Sequence, residues 1–184
     1  VSNDQSAESN ADLLRFSVTA DAAGDILIHK FTLRVSTTSA TVSGFNVHAY
    51  QNGYDNSPIA VTSGSHGELV SSDINPMIPN TDYDFVVDNN SSGYVTVPAG
   101  ATRYFIVKGD IDSITANSGS VKVTIQGDAA YPSLAARMGT AASIEADAND
   151  DFIWSPKATT TIGVANVDWT NGFRATGLPS DGFS

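Results

Sequence analysis

The sequence predicts an all-β protein, an antiparallel β-sandwich of the immunoglobulin-like, Greek-key type. Short stretches with apolar residues at alternate positions recur along the chain, turn-forming residues separate them, and helical periodicity is confined to one short stretch. At 184 residues, of which 41% are hydrophobic, the chain can bury one sizeable core. We therefore expect a flexible N-terminal arm at 1–11, the sandwich at 12–146, and an acidic and aromatic C-terminal segment at 147–184 that packs on the sandwich or on a neighbouring subunit.

The first three predicted strands lie in the N-terminal part of the chain. Alternation of apolar and polar residues predicts them at 14–20, 26–35 and 41–50. In the second strand the apolar positions change parity, so either a bulge near His29 turns the strand over or both of its faces are buried. We favour the bulge.

The stretch 93–112 is predicted to be the centre of the fold. Its strand signals at 94–97 and 104–107 flank the turn-forming residues 98–100, in which proline presets φ and glycine tolerates a positive φ. This pattern predicts a β-hairpin. Both faces of the returning arm are apolar, so we expect that arm in the middle of a sheet that is covered on both sides.

The remaining predicted elements are shorter. Strand signals recur at 59–61, 68–70, 83–87 and 121–125. Residues 152–154 form a final strand if the C-terminal segment returns to the sandwich. Residues 132–139 are the one stretch expected to form a turn or two of helix.

The charge of the chain restricts its partners. Lys and Arg number 9 against 20 Asp and Glu, and the formal net charge of −11 repels nucleic-acid phosphates and anionic membrane surfaces. No run approaches the roughly 18 apolar residues that a membrane span needs, so we expect neither a nucleic-acid partner nor membrane insertion. Cysteine is absent, and the low charged fraction with abundant Ser, Thr and Asn predicts an extracellular or cell-surface protein whose signal peptide has been removed.

The strongest chemical signal is an acidic loop at 147–151. Asp147, Asn149 and Asp151 occupy alternate positions and can turn three oxygen ligands toward one point, a spacing that calcium commonly uses. The glycine and glutamate that complete an EF-hand are missing, so further ligands must come from elsewhere. Asp110 and Asp112 are candidates, as are Asp82, Asp84 and Asp88. The sequence therefore predicts a calcium site at Asp147, Asn149 and Asp151 together with Asp110 and Asp112. The alternative is an ordinary acidic surface loop.

Motifs for catalysis do not stand out. The chain has no cysteine nucleophile and no G-x-S-x-G elbow, so we expect a protein that is not an enzyme. Four aromatic residues expected at loops or strand ends can stack on sugar rings, as in a carbohydrate-binding module: Tyr50, Tyr54, Trp154 and Trp169. Alternatively, the two tryptophans are packing anchors that pin the C-terminal segment.

Three motifs near the C-terminus resemble those of a known group of proteins. They are DFIWSP at 151–156, DWTNG at 168–172 and GLPS at 177–180. Together they resemble the C-terminal ends of predicted surface proteins from candidate-phyla bacteria of the Patescibacteria type. The resemblance implies an exported, β-rich cell-surface protein, and it implies no catalytic residues.

These observations favour a non-enzymatic, extracellular structural protein. We expect a subunit of a surface layer, a filament or another cell-surface assembly, stabilised by calcium, whose partner is a further copy of itself. The copies would join by strand pairing at a sheet edge or by exchange of their terminal segments. The alternative is a carbohydrate-binding module or adhesin domain that binds glycans.

Overall fold

The computed structural model describes residues 8–59, 67–75, 77–88, 92–115 and 118–178. Within these residues the chain is mostly antiparallel β-structure, and the predicted all-β sandwich is confirmed. The elements in chain order are β1 (Glu8–Thr19), β2 (Ile26–Thr38), β3 (Ala40–Tyr50), β4 (Thr81–Val86), β5 (Val95–Val97), β6 (Thr102–Ile114), β7 (Ser120–Ile125), α1 (Ala141–Glu145), β8 (Phe152–Ser155) and β9 (Thr170–Asn171). The Greek-key connectivity of the immunoglobulin type stays a prediction.

Two sheets make up the sandwich. In the first sheet, β6 lies between β1 and β3. In the second sheet β2 is the central strand, and it pairs with β5 and then β4 along one edge and with β8 and then β7 along the other. β9 extends this sheet beyond β8.

The stretch 93–112 does not form the predicted hairpin. β5 pairs with β2 in the second sheet, whereas β6 pairs with β1 and β3 in the first, so the turn between them carries the chain from one sheet to the other. This turn lies against the turn that joins β1 to β2. Ala20 N–H donates to Ala101 O at 3.0 Å, and Gly100 N–H donates to Asp21 O at 3.1 Å. The sequence locates the turn correctly. The turn, however, links two strands of different sheets, and its backbone groups bond to the turn between β1 and β2, which also crosses between the sheets.

The returning arm of that stretch is a central strand, as predicted. β6 lies in the middle of the first sheet. Phe105, Ile106 and Val107 are all fully buried although successive side chains point to opposite faces. Both faces of β6 are therefore covered at this level.

Both interpretations of the second strand are correct. The pairing of β2 with β8 shifts register between Ile28 and Lys30, which places an irregularity at His29. In addition, every residue from 27 to 33 is buried. The strand is therefore irregular and also covered on both faces.

Local alternation located most of the other strands. The predictions at 14–20, 41–50, 83–87, 121–125 and 152–154 correspond to β1, β3, β4, β7 and β8. β1 begins at Glu8, so residues 8–11 of the predicted flexible arm belong to a strand. Residues 60–66 lie outside the described residues, and Glu68 forms only an isolated bridge with His48. β9 was not predicted.

The helix lies later in the chain than predicted. Residues 132–139 are irregular, and α1 follows them. Thr140 caps the helix, because its Oγ1 accepts a hydrogen bond from Ser143 N–H at 3.2 Å. Gly139 instead pairs with Trp169 in a β-bridge, which removes the end of 132–139 from any helix.

The main core lies between the two sheets. Phe31 of the second sheet and Phe105 of the first pack edge to face with ring centroids 5.0 Å apart, and Phe16 and Phe152 extend this aromatic cluster. Burying a side chain of this type contributes about 1.5–3 kcal/mol. The contacts among these rings hold the two sheets face to face.

A second, smaller core lies on the outer face of the second sheet. It consists of Leu27, Ala141, Ile144, Ile153, Ile162 and Trp169. Helix α1 and the chain around Trp169 therefore form a third layer. The described part of the C-terminal segment packs on its own sandwich, which is one of the two arrangements that the sequence predicts.

Candidate functional site

Asp147, Asn149 and Asp151 lie in the loop between α1 and β8, where local hydrogen bonds engage two of the three side chains. The Asp147 carboxylate accepts from Ser133 N–H at 2.8 Å and from Asn149 N–H at 3.0 Å, and these bonds lower the pKa of Asp147. Asn149 Oδ1 accepts from Ala130 N–H at 3.2 Å. The acidic loop is thus tied to the chain that precedes α1.

Asp110 and Asp112 lie in β6 of the first sheet. Asp110 Oδ1 accepts from Asn10 N–H at 2.6 Å, and Asp112 Oδ1 accepts from Ser43 Oγ–H at 2.9 Å. Among the described residues, no hydrogen bond or ion pair joins them to 147–151, and no group of three or more Asp, Glu, His or Cys side chains could hold a metal ion. The five predicted calcium ligands are therefore not brought together, and the calcium site stays a prediction.

A buried lysine on β2 forms the centre of a different charged group. Lys30 is 2% exposed, and its Nζ lies 2.5 Å from Asp150 Oδ2 and 3.0 Å from Asp84 Oδ2. Burial lowers the pKa of Lys30, but the hydrogen bonds to Asp150 and Asp84 outweigh burial and the net direction is upward. This ion pair joins β2 to β4 and to the loop before β8.

Asp128 lies beside this ion pair and is 1% exposed. Its carboxylate accepts three backbone N–H groups, from Asp151 at 2.9 Å, Phe152 at 3.4 Å and Gly172 at 2.8 Å. Burial raises the pKa of Asp128, and the three N–H donors oppose that shift. A single side chain thus holds the start of β8 and the end of β9.

Asp151 completes the group, which we call the lysine cluster: Lys30, Asp84, Asp128, Asp150 and Asp151. Burial raises the pKa of Asp151 to about 6, and the neighbouring carboxylates of Asp128 and Asp150 add to the shift. The sequence predicts Asp151 as a calcium ligand and offers Asp84 as a further candidate ligand, but it does not indicate Lys30, Asp128 or Asp150. The available signal was Lys30 itself, since a charged residue inside a strand with two apolar faces requires buried partners.

His29 connects β2 to the third layer. Its Nδ1 lies 2.5 Å from Gly93 O and its Nε2 lies 2.7 Å from Glu145 Oε1, while its ring packs against Trp169. A carbonyl oxygen can only accept a hydrogen bond, so Nδ1 is the donor to Gly93 O. The contact of Nε2 with Glu145 fixes α1 on the second sheet.

The four aromatic residues predicted to bind glycans differ in exposure. Trp169 is fully buried and donates from Nε1 to Gly163 O at 3.1 Å, so it is a packing anchor. Tyr50 is 5% exposed, and burial raises its pKa to about 12. The prediction of a surface for sugar stacking is therefore wrong for Trp169 and Tyr50. Tyr54 and Trp154 are half-buried.

The longest edge strand of the sandwich is β1. In the described part of the chain its backbone pairs only with β6, and the register is unbroken from Leu14 to Thr19. The opposite edge of that sheet, β3, is partly covered by bridges that join Phe45 to Ile74, His48 to Glu68, and Tyr50 to Pro58. The outer backbone groups of β1 are therefore open to a further strand.

Comparison with protein-family models, with curated proteins and with solved structures finds no match to this chain. None of the helices in the described residues is both long and apolar enough to cross a membrane. The fold and the charged groups define a class only: an all-β sandwich with a third layer, held to the second sheet by buried ionic and aromatic contacts.

Proposed function

We propose that this protein is a non-enzymatic structural subunit that assembles with further copies of itself by strand pairing at β1. The observation that supports this proposal is the edge of β1, a strand of 12 residues with no described strand on its outer side. Leu14, Phe16 and Val18 pack on the core, while Arg15, Ser17 and Thr19 are exposed. The strand is therefore held in place from within and presents an extended backbone outward.

Pairing of two β1 edges would join two three-stranded sheets into one. Antiparallel pairing of identical strands gives a two-fold symmetric contact, which is the commonest arrangement of homo-oligomers. The net charge of −11 opposes such a contact. Screening over a Debye length of about 8 Å at physiological ionic strength reduces that repulsion, so we expect association to strengthen with salt in the low range.

The proposed location is the cell surface or extracellular space. The composition of the sequence supports it, as does the resemblance of its C-terminal motifs to exported surface proteins. A filament or layer in this location needs a subunit with a stable core and an exposed pairing edge.

Hydrogen exchange at two protein concentrations tests the proposal. Amides in the peptide 8–19 should exchange faster in dilute protein, where the outer edge faces water, and slower in concentrated protein, where it is paired. Amides of β6 from 104 to 108, where it pairs with both β1 and β3, should be protected equally in both samples. Equal exchange of β1 at both concentrations, with one sedimenting species of monomer mass, would falsify self-assembly at this edge.

A pair of matched variants locates the contact. Ser17→Glu places a carboxylate on the exposed face of the β1 edge, whereas Ser113→Glu makes the same change at an exposed position of the central strand β6. We expect Ser17→Glu to weaken association about tenfold or more, because like charges facing one another across paired strands are destabilising. Ser113→Glu should associate like the wild type.

Calcium is a separate part of this proposal. If the predicted site at 147–151 binds calcium, adding the ion to chelator-treated protein raises the melting temperature, and Asp147→Asn removes that rise. An unchanged melting temperature and unchanged particle size in excess chelator would refute calcium stabilisation and leave the β1 proposal intact.

A further inference from the structure

Two arginines of the third layer lie over one pair of aromatic rings. The rings of Tyr131 and Phe173 meet edge to face with centroids 4.8 Å apart. The Arg137 guanidinium lies 4.3 Å from the Tyr131 ring centroid, and the Arg174 guanidinium lies 5.3 Å from that of Phe173. We call these four residues the arginine patch. Both arginines are exposed, whereas the two rings are half-buried.

Among the residues that the structure describes, the guanidinium groups of the patch have no carboxylate partner. Among the 9 basic residues of the chain, those that form ion pairs with Asp are Arg15, Lys30, Arg34, Lys108 and Lys157. Arg103 donates to backbone carbonyls instead. Within the described residues, no carboxylate lies within ion-pair distance of Arg137, Arg174 or Lys122. This is unexpected in a chain with 20 acidic residues.

The backbone holds both arginines in an unfavourable conformation. Arg137 has φ 57° and Arg174 has φ 64°, in the left-handed region that favours glycine. Thr170 Oγ1–H donates to Arg137 O at 2.8 Å and keeps that turn against β9. A guanidinium whose carbon lies over a ring can still donate two parallel hydrogen bonds to a carboxylate from its N–H edge. The patch thus offers two neighbouring guanidinium groups to a carboxylate-bearing partner.

We infer that the arginine patch binds carboxylates on the surface of a second copy of this chain. The inference rests on the proposed self-assembly. Charge complementarity supports it. Each copy carries a net charge of −11, and the patch holds two guanidinium groups that form no ion pair with the carboxylates of the described residues. The patch belongs to the third layer and β1 to the first sheet, so the two contacts use different surfaces.

Two distinct contact surfaces have a consequence for the kind of assembly. A β1–β1 contact is self-complementary and on its own stops at a dimer. Binding of the patch to a different, acidic surface is a heterologous contact, which extends into an open chain unless its rotation closes a ring. The patch would therefore convert dimers into a polymer.

Sedimentation and light scattering over a range of protein concentrations and salt concentrations test this inference. The variants are Arg137→Gln, Arg174→Gln and the double variant. Lys122→Gln is the matched control, because it removes from β7 one exposed positive charge that forms no ion pair within the described residues. We expect the double variant to lose species larger than the dimer, with patch association at least about tenfold weaker, and we expect Lys122→Gln to assemble like the wild type. Salt should weaken polymer growth of the wild type, whereas the β1-paired dimers of the double variant should strengthen with salt in the low range.

The outcomes separate the two proposals. A double variant that stops at dimers supports the inference, while one that polymerises like the wild type overturns it and leaves β1 pairing in place. A wild type that stays monomeric throughout overturns both proposals. If such a monomer binds polygalacturonate and the double variant does not, the patch recognises acidic glycans rather than a second copy. Arg137→Gly with Arg174→Gly checks for misfolding, since glycine suits both φ angles and should preserve the melting temperature.

Discussion

Asp128 shows how a buried charge in this protein is supported by the backbone. Its two oxygens accept three N–H groups, from the residue before β8, the first residue of β8 and the residue after β9, while Lys30 and Asp150 form an ion pair nearby. Removing one member of such a group leaves buried donors without an acceptor, which costs more than the bond itself contributes. The lysine cluster is therefore best tested by changes that keep the shape of the side chain.

We predict that Asp128→Asn destabilises the fold by about 1–3 kcal/mol. The asparagine amide replaces one accepting oxygen by an NH₂ group, so at least one of the buried backbone N–H groups loses its acceptor. Urea unfolding followed by circular dichroism measures the change. Asp147→Asn is the control, since Asp147 also accepts two backbone N–H groups but lies where water can replace them. Equal losses of unfolding free energy in the two variants would show that the burial of Asp128 does not determine the size of its contribution.

The pKa of Asp151 gives a second prediction. Its folded-state pKa of about 6 lies above the ordinary value of 3.8, so the folded protein holds this proton more tightly than the unfolded chain. The stabilisation is complete below the ordinary pKa and is lost as pH rises through about 6. Asp151→Asn should therefore be more stable than the wild type at pH 7–8, by about 1–2 kcal/mol after allowance for solvent screening.

A pH series of melting temperatures checks the sign. Wild type and Asp151→Asn should converge near pH 4, where the wild-type carboxyl is protonated. Asp147→Asn should behave in the opposite way, because the pKa of Asp147 is lowered. This variant should melt at a lower temperature than the wild type at neutral pH, and the difference should disappear in acid. A wild type that is more stable than Asp151→Asn at pH 8 would contradict the assignment.

At the scale of elements, the sequence predicts the positions of strands better than their partners. Alternation is a local property, so it located β2, β3 and β7 with few errors at their ends. Pairing is set by contacts between distant residues, and nothing in the turn at 98–100 indicates that β5 and β6 enter different sheets. The same limit applies to the site. The Asp110 and Asp147 regions look suitable for one metal in the sequence, but the fold gives them separate partners.

The third layer depends on Trp169. This side chain is fully buried against Leu27 and Ile144, its ring touches His29, and its indole N–H is bonded. We predict that Trp169→Ala costs about 3–5 kcal/mol through lost burial and the cavity that remains. Thermal unfolding measures the loss. Val167→Ala, at a position that is 70% exposed, should stay within about 0.5 kcal/mol of the wild type.

At the scale of the whole molecule, the sandwich and the C-terminal segment are not separable. The sequence places a boundary at residue 146, but β8 pairs with the central strand β2, and its Ile153 lies in the outer core. Without β8, one edge of β2 loses its partner at 27–31 and the outer face of the second sheet becomes exposed. The segment is therefore part of the fold and not an appended arm.

We predict that a chain ending at residue 146 shows no cooperative thermal transition. The peptide 147–178, added in trans, should restore one, because it supplies β8, β9 and Trp169. Circular dichroism melts of the shortened chain with and without the peptide make the comparison, and a scrambled peptide is the control. A cooperative transition in the shortened chain alone would show that the boundary at 146 is a true domain boundary.

The central position of β2 also determines when this protein can fold during its synthesis. β2 is made early, yet its partner β8 leaves the ribosome more than a hundred residues later. At about 5–20 residues per second, translation keeps the second sheet incomplete for several seconds at least. Throughout that interval the residues of β2 from 27 to 31 lack β8, the strand that completes their pairing.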